Sequence, residues 1–393
     1  IHFDISNFKL FNERYGFRLG DELLCEVART LHDVFSEGTV ARFSDDHFVV
    51  CVTSGANSAI TDRVENVQRQ ILQAEEATKR ARLKAGIYYL EDTCSEVGLA
   101  CDHARLACNS VKNRHDINYC IYDDSLRERL RKQQYVLDHI DSAIKNDDIK
   151  VYYQPVIRVA TNEICGYEAL VRWIDDTVGF LSPADFIDTL EQFHLIHKLD
   201  SYVIEKVCED YHKLKAKGLP LVPVSVNLSR LDFELCDIFS IIENTRQTYG
   251  VPMNMLDLEI TESALNDNSN FLKLECEHLH DLGYSIWIDD FGSGYSSLNT
   301  LTEYPFDVLK LDLVFLRSYD KNKKAGPLIE YIVKGALGMG ISPLIEGVET
   351  KEHFDFLKKI GCVRAQGYHF SKPQPLYELI AYMEDKGFQW EKN

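Results

Sequence analysis

A chain of 393 residues with 45% hydrophobic content has room for two domains with sizeable cores, and that composition excludes an intrinsically disordered protein. Its 43 basic residues against 62 acidic ones leave a net charge of −19, which excludes a nonspecific grip on a nucleic-acid polymer, since that needs a basic surface. No apolar run approaches membrane-spanning length, no signal peptide is visible, and the 11 cysteines are scattered without a Cys-x-x-Cys pair, so free thiols in a cytoplasmic, reducing compartment are expected. Because the chain begins with Ile1 rather than Met, it reads as a fragment, which leaves a preceding sensor or membrane tether open.

In chain order, residues 1–8 read as a strand and Gly20 to Phe35 as an amphipathic helix, followed by a hairpin of 39–43 and 47–53 around the turn-prone Ser44-Asp45-Asp46. A helix over 57–80, a strand over 84–90, a helix over 96–113 and a strand over 117–122 complete a small α/β domain, residues 1–122. Cys94, Cys101 and Cys108 recur at heptad spacing and mark a buried helix face. Residues 123–145 are charged, lack Pro and Gly, and carry periodic apolar positions, which predicts a connecting helix. A second domain, 146–393, starts near Lys150-Val-Tyr-Tyr-Gln-Pro.

In that domain, short apolar strands alternate with helix-like stretches, and each strand carries polar residues toward one end. Strand 164–171 places Glu168; 222–228 places Asn227; 255–262 places Glu259 and Glu262; Ser285 to Ile288 leads into Asp289 and Asp290. Strand 307–312 then places Lys310 and Asp312, 341–349 places Glu346 and Glu349, and 363–368 places Gln366. Alternation of this kind implies parallel strands joined by helical crossovers, and polar groups at one end of every strand suit the catalytic face of a (β/α) barrel. Gly292 and Gly294 after the Asp pair let the backbone turn sharply and approach a ligand.

Two carboxylates about 4 Å apart repel by roughly 4 kcal/mol at an effective dielectric of 20, so Glu168, Glu259, Asp289 and Asp290 would converge only around cations. An all-oxygen donor set without His or Cys favours Mg²⁺ or Mn²⁺, whereas Ca²⁺ would bind and fail to support turnover. Two such ions beside a lysine suit metal-assisted hydrolysis of a phosphodiester.

These motifs resemble the EAL domain, a family of cyclic-di-GMP phosphodiesterases. The likeness runs through Gln154-Pro155, Glu168-Ala-Leu-Val-Arg-Trp173, Asn227-Leu-Ser, Leu258-Glu-Ile-Thr-Glu-Ser263, Asp289-Asp-Phe-Gly-Ser-Gly-Tyr-Ser-Ser297, Leu309-Lys-Leu-Asp312, Glu346-Gly-Val-Glu-Thr350 and Gln366-Gly-Tyr. It implies a modified TIM (β/α)8 barrel with an antiparallel first strand and hydrolysis of cyclic-di-GMP to linear pGpG. It also implies metal ligands at Glu168, Asn227, Glu259, Asp289 and Asp290, and catalytic roles for Glu168, Lys310, Glu346 and Glu349. Substrate contacts are implied at Arg172, Gln154, Gln366 and Asp312, an ordering of the Asp-Phe-Gly loop by Glu262, and homodimerisation through this domain. Ile345 stands where Ala is usual in the family, and residues 174–180 lack its common Pro.

The first domain resembles the GGDEF domain, the diguanylate cyclase fold, with a degenerate signature. Asp4, Asn12 and Asp21 match metal- and nucleotide-side positions, but Ser44-Asp45-Asp46-His47 replaces the signature: Ser44 and Asp45 stand for two glycines and His47 for the second acid. Asn109 and Asn113 replace phosphate-contacting basic residues, and 35–38 lack the Arg-x-x-Asp inhibitory site. The expectation is a regulatory or dimerising module without cyclase activity, with residual GTP or metal binding left open. For the barrel, a catalytically silent cyclic-di-GMP sensor or scaffold stays as the alternative.

Overall fold

The computed structural model describes residues 1–52, 57–73, 81–90, 96–112, 114, 116–265, 270–292, 300–322 and 324–392. Two compact units divide between Lys132 and Gln133.

The first unit is a five-stranded sheet in the order β2-β3-β1-β4-β5. Its strands are β1 (His2–Ser6), β2 (Thr39–Ser44), β3 (His47–Cys51), β4 (Arg82–Ile87) and β5 (Tyr119–Ile121). β1 runs antiparallel to both neighbours and β5 parallel to β4. Period-2 alternation sorts the central strands into two faces. Phe3, Ile5, Leu83, Ala85 and Ile87 pack with α2 (Phe17–Val34) and α3 (Asn57–Gln73) through Leu23, Val27, Val64 and Val67. On the other face Gly86 lets α4 (Val97–Asn109) lie directly on β4, since a Cβ there would fall 1.9 Å from the Ala104 carbonyl oxygen. That face carries Asp4, fully buried, and α4 buries Cys108 toward the sheet, while Cys94 and Asn113 lie outside the described residues.

The expected strand over 1–8 stops early. Asn7 takes a left-handed conformation (φ 58°) and the chain turns into α1 (Phe8–Tyr15), a helix the apolar run of Ile1 to Phe8 concealed. The connecting helix is α5 (Asp124–Lys145); its C-terminal half buries Val136, Ile140 and Ala143 against Ile149, Trp173, Phe186 and Leu190 of the second unit.

The second unit is an eight-stranded closed barrel. Its staves are β6 (Ile149–Arg158), β7 (Glu163–Asp175), β9 (Val224–Leu228), β10 (Leu256–Thr261), β11 (Ser285–Phe291), β12 (Val308–Leu311), β13 (Ser342–Ile345) and β14 (Arg364–Gln366), with β8 (Gly179–Leu181) annexed to β7. β6 pairs antiparallel with both β14 and β7 and closes the cylinder; the remaining staves run parallel. The antiparallel first strand is therefore as the resemblance implied. Inside, Val156, Cys165, Trp287, Val308 and Leu344 form an apolar plug. Two residues further along their strands, Asp289, Lys310 and Glu346 point the same way by strand alternation, so the plug is the floor of a polar site at the C-terminal mouth.

Candidate active site

Lys310, on the short buried strand β12, is wholly shielded from solvent, a position a lysine occupies only when paired. Its Nζ lies 2.6 Å from Glu259 Oε2, 2.9 Å from Glu346 Oε1, 3.1 Å from Asp289 Oδ1 and 3.3 Å from Glu168 Oε1. Burial works against its charge, yet those carboxylates hold its pKa well above the ordinary lysine value. One ammonium does not balance four acids. Burial and the crowding of Glu168 and Asp289 push Glu259 well above the carboxylate range and Glu346 up to about 8, with Lys310 opposing both shifts.

Neighbouring strands hold the rest in register. Asn227 of β9 stands opposite Glu259, and Gln154 of β6 opposite Glu168. Gln366 Nε2 donates to Gln154 Oε1 at 3.0 Å and to Glu168 Oε2, while Gln154 Nε2 donates to the Ser371 carbonyl at 3.1 Å, so the two amides fix the Glu168 carboxylate. At Asp290 the β11–β12 ladder slips and the residue takes φ 57°, a left-handed bulge that turns its side chain away from strand alternation. Its amide donates to Asp289 Oδ1 at 2.8 Å, and burial plus the Asp289 and Asp312 charges push its pKa up to about 6.

Glu262 does not extend β10 as expected; it opens the short helix α10 (Glu262–Leu265), from which its Oε2 accepts the Gly292 amide at 3.1 Å. Gly292 has φ 93°, and a Cβ there would meet the Phe315 ring at 2.3 Å, so the Asp-Phe-Gly turn needs glycine for conformation and for space. Gly294 lies outside the described residues. Asp312 accepts the Val314 amide at 2.6 Å and caps the turn into α13 (Val314–Lys321); it is not among the residues lining the cavity.

That cavity, about 680 Å³, opens above the acids and is lined by Gln154, Glu168, Arg172, Asn227, Asp289, Asp290, Glu346, Glu349 and Gln366 among others. Oxygens of Glu168, Glu259 and Asp289 all lie within 4.8 Å of one another, and the buried Glu259 Oε1 has no hydrogen-bond partner among the described residues. Excess buried anion, an orphaned oxygen and a donor set of oxygens alone fit hard divalent cations.

Sequence reading missed one wall of this cavity. Asp200 and Asp232 share a buried hydrogen bond below Ser229, whose amide donates to Asp232 at 2.8 Å and whose hydroxyl donates to Glu191 at 2.8 Å. Burial and the neighbouring Asp232 charge raise Asp200 well above the usual carboxylate range. The Ser229-x-x-Asp232 spacing, a helix-start signature, was the available signal.

In the first unit, Asp4 Oδ2 accepts from Lys112 Nζ at 2.7 Å and lies 3.3 Å from His47 Nδ1. Asn12 sits against Gly20, where a Cβ would fall 1.9 Å from its Oδ1. Asp45 takes φ 26° at the hairpin tip, Asp46 Oδ1 is 3.8 Å from His47 Nε2, and Asp21 and Ser44 are exposed.

The EAL domain family matches residues 137–373, more than half of the chain, and the diguanylate cyclase, GGDEF domain family matches residues 1–117. The Escherichia coli cyclic di-GMP phosphodiesterase PdeR is 30% identical over 388 residues, covering 95% of this chain and 57% of that protein. The Pseudomonas aeruginosa cyclic di-GMP phosphodiesterase NbdA is 29% identical over 384 residues, covering 97% and 49%. The chain thus spans about half the length of the curated relatives it matches. Among solved structures, the PaMucR phosphodiesterase in complex with c-di-GMP is 28% identical with a TM-score of 0.59, covering 62% of this chain and 99% of that one. An EAL domain protein from Listeria monocytogenes is 27% identical with a TM-score of 0.56, covering 63% and 98%.

Proposed function

The chain belongs to the EAL domain family, with a GGDEF domain in tandem before the barrel, and from that premise we propose that it hydrolyses cyclic-di-GMP to linear pGpG. The observation that carries the reading is the intact ring of Glu168, Glu259, Asp289 and Glu346 around Lys310 beneath a cavity of dinucleotide size. Glu168, Asn227, Glu259, Asp289 and Asp290 would hold two Mg²⁺ or Mn²⁺ ions. When bound, such ions supply charge neutralisation at the phosphate and a more acidic water.

The protein's own groups do the rest. Lys310, fixed by four carboxylates, presents its ammonium to the attacking water, and Glu346 takes up that water's proton. The water oxygen bonds to phosphorus as the bond to the 3′-oxygen breaks, and that oxygen takes a proton from solvent, leaving a 5′-phosphate and a 3′-hydroxyl. Gln154 and Gln366 keep Glu168 from rotating, Glu262 steadies the turn after Asp290 through Gly292, and Arg172 and Glu349 stand on the cavity wall beside the substrate.

The first unit acts as a regulatory or dimerising module without cyclase activity, supported by Lys112 standing on Asp4 where a nucleotide-bound cation would be needed. Dimerisation through the barrel and a cytoplasmic site of action belong to the same proposal; among the described residues no helix is long and apolar enough to cross a membrane.

The test is chromatographic. Cyclic-di-GMP is incubated with Mg²⁺, Mn²⁺ or Ca²⁺, beside a Glu168→Ala variant. Product with Mg²⁺ or Mn²⁺, lost in the variant and in Ca²⁺, supports the reading. Tight binding without product would make the protein a sensor, and neither would leave a scaffold.

A further inference from the structure

The proposed substrate carries two phosphodiesters, and the carboxylate cluster handles one of them. The second is an anion that must enter a cavity whose wall carries, among the described residues, seven carboxylates, Glu191 and Asp200 as well as members of the cluster. Among the described residues lining that cavity there are three guanidinium groups, Arg172, Arg230 and Arg317. Arg230 is paired with Glu234 at 2.9 Å, and Arg172, half-buried, donates to its own neighbour's carbonyl, Val171, at 2.7 Å beside the Tyr152 ring. The Arg317 side chain has no ion pair or hydrogen bond among the described residues. In a molecule of net charge −19, Arg317, exposed to solvent and without such a partner among the described residues, is the guanidinium of that wall left open to an anionic ligand.

Its placement is built. Arg317 lies four residues after Leu313, so both project from one face of the chain entering α13. Leu313 packs against Gly347, where a Cβ would fall 2.6 Å from its own Cβ, which sets that face beside the turn following Glu346. Buried Leu316 and the Phe315 ring under Gly292 hold the helix in that rotation. Three residues before Leu313, the same segment supplies Lys310, the buried cation of the cluster.

We propose that Arg317 binds the phosphodiester that is not cut, making it a specificity-determining residue for a ligand with two phosphates. This rests on the phosphodiesterase reading above. The wild-type chain is compared with Arg317→Ala and Arg317→Lys in steady-state hydrolysis of cyclic-di-GMP at two salt concentrations, and by calorimetric binding of cyclic-di-GMP in Ca²⁺. Loss of one charged hydrogen bond raises KM and Kd on the order of 10- to 100-fold in Arg317→Ala. kcat stays within about threefold, the lysine variant recovers part of the loss, and the deficit shrinks as salt rises. KM and Kd within twofold of wild type, or a fall in kcat with KM unchanged, overturns the assignment. If the wild type binds but does not hydrolyse, the phosphodiesterase reading fails, and the calorimetric comparison alone decides for or against Arg317.

Discussion

Replacing Lys310 with methionine removes the buried ammonium from a site where Glu168, Glu259, Asp289 and Glu346 all lie within 3.3 Å of its Nζ. Methionine conserves length and apolar volume, so the change isolates charge. Breaking a buried ion cluster by deleting one partner costs about 3–5 kcal/mol, because the remaining charges stay buried and uncompensated. For a unit of this size each kcal/mol moves Tm by roughly 2–4 °C, so the barrel's unfolding falls by about 6–20 °C in EDTA. The assay is selective: all three tryptophans, Trp173, Trp287 and Trp390, belong to the second unit, so their fluorescence follows the barrel alone. Mg²⁺ should restore more stability to the variant than it adds to wild type, since divalent cations then carry the whole neutralising role. A variant melting within 2 °C of wild type in EDTA would refute the reasoning, because the carboxylates would then have to be neutral or hydrated without Lys310.

Gly292→Ala forces a Cβ to 2.3 Å from the Phe315 ring at φ 93° and is expected to destabilise by about 1–3 kcal/mol, with Phe315→Leu recovering the steric part in thermal melts. Glu262→Ala leaves the Gly292 amide without its acceptor, and kcat/KM for cyclic-di-GMP should drop on the order of tenfold or more; unchanged kinetics would mean the turn holds itself. Arg246, aided by the Tyr284 hydroxyl, depresses Glu243 to about 2. A depressed carboxylate stabilises the fold above its unfolded pKa of about 4.5, and that contribution is lost as pH falls toward 2. Glu243→Gln should therefore melt below wild type at pH 7 and converge with it near pH 2; a gap that persists there would assign the loss to packing. Titrating Mg²⁺-GTP into the chain should give no saturable heat, since Lys112 already neutralises Asp4, and an isotherm abolished by Asp21→Ala would contradict that.

Much of the barrel was legible because strand alternation and strand-end acids are local signals: Glu168, Glu259, Asp289, Lys310 and Glu346 all sit where period-2 patterning puts them. The antiparallel first strand was not local information and came only from family likeness. What escaped depends on conformation or distant pairing. Asn7 reads as strand until its left-handed φ turns the chain into α1. Glu262 reads as the end of β10 but starts a helix. Asp312, grouped with the substrate contacts by motif, is engaged in capping the turn into α13. Lys112 and Asp4, far apart in sequence, meet only in the folded sheet, and the Glu191–Ser229–Asp232–Asp200 network joins three separate segments.

The most direct measurement of the central claim is to incubate the chain with cyclic-di-GMP and Mg²⁺ in ¹⁸O-enriched water and weigh the products. The account requires linear pGpG carrying one heavy oxygen on its terminal phosphate, formed by wild type and not by Glu168→Ala. Cyclic-di-GMP returned intact despite saturating enzyme, or pGpG formed equally by the variant, would contradict it.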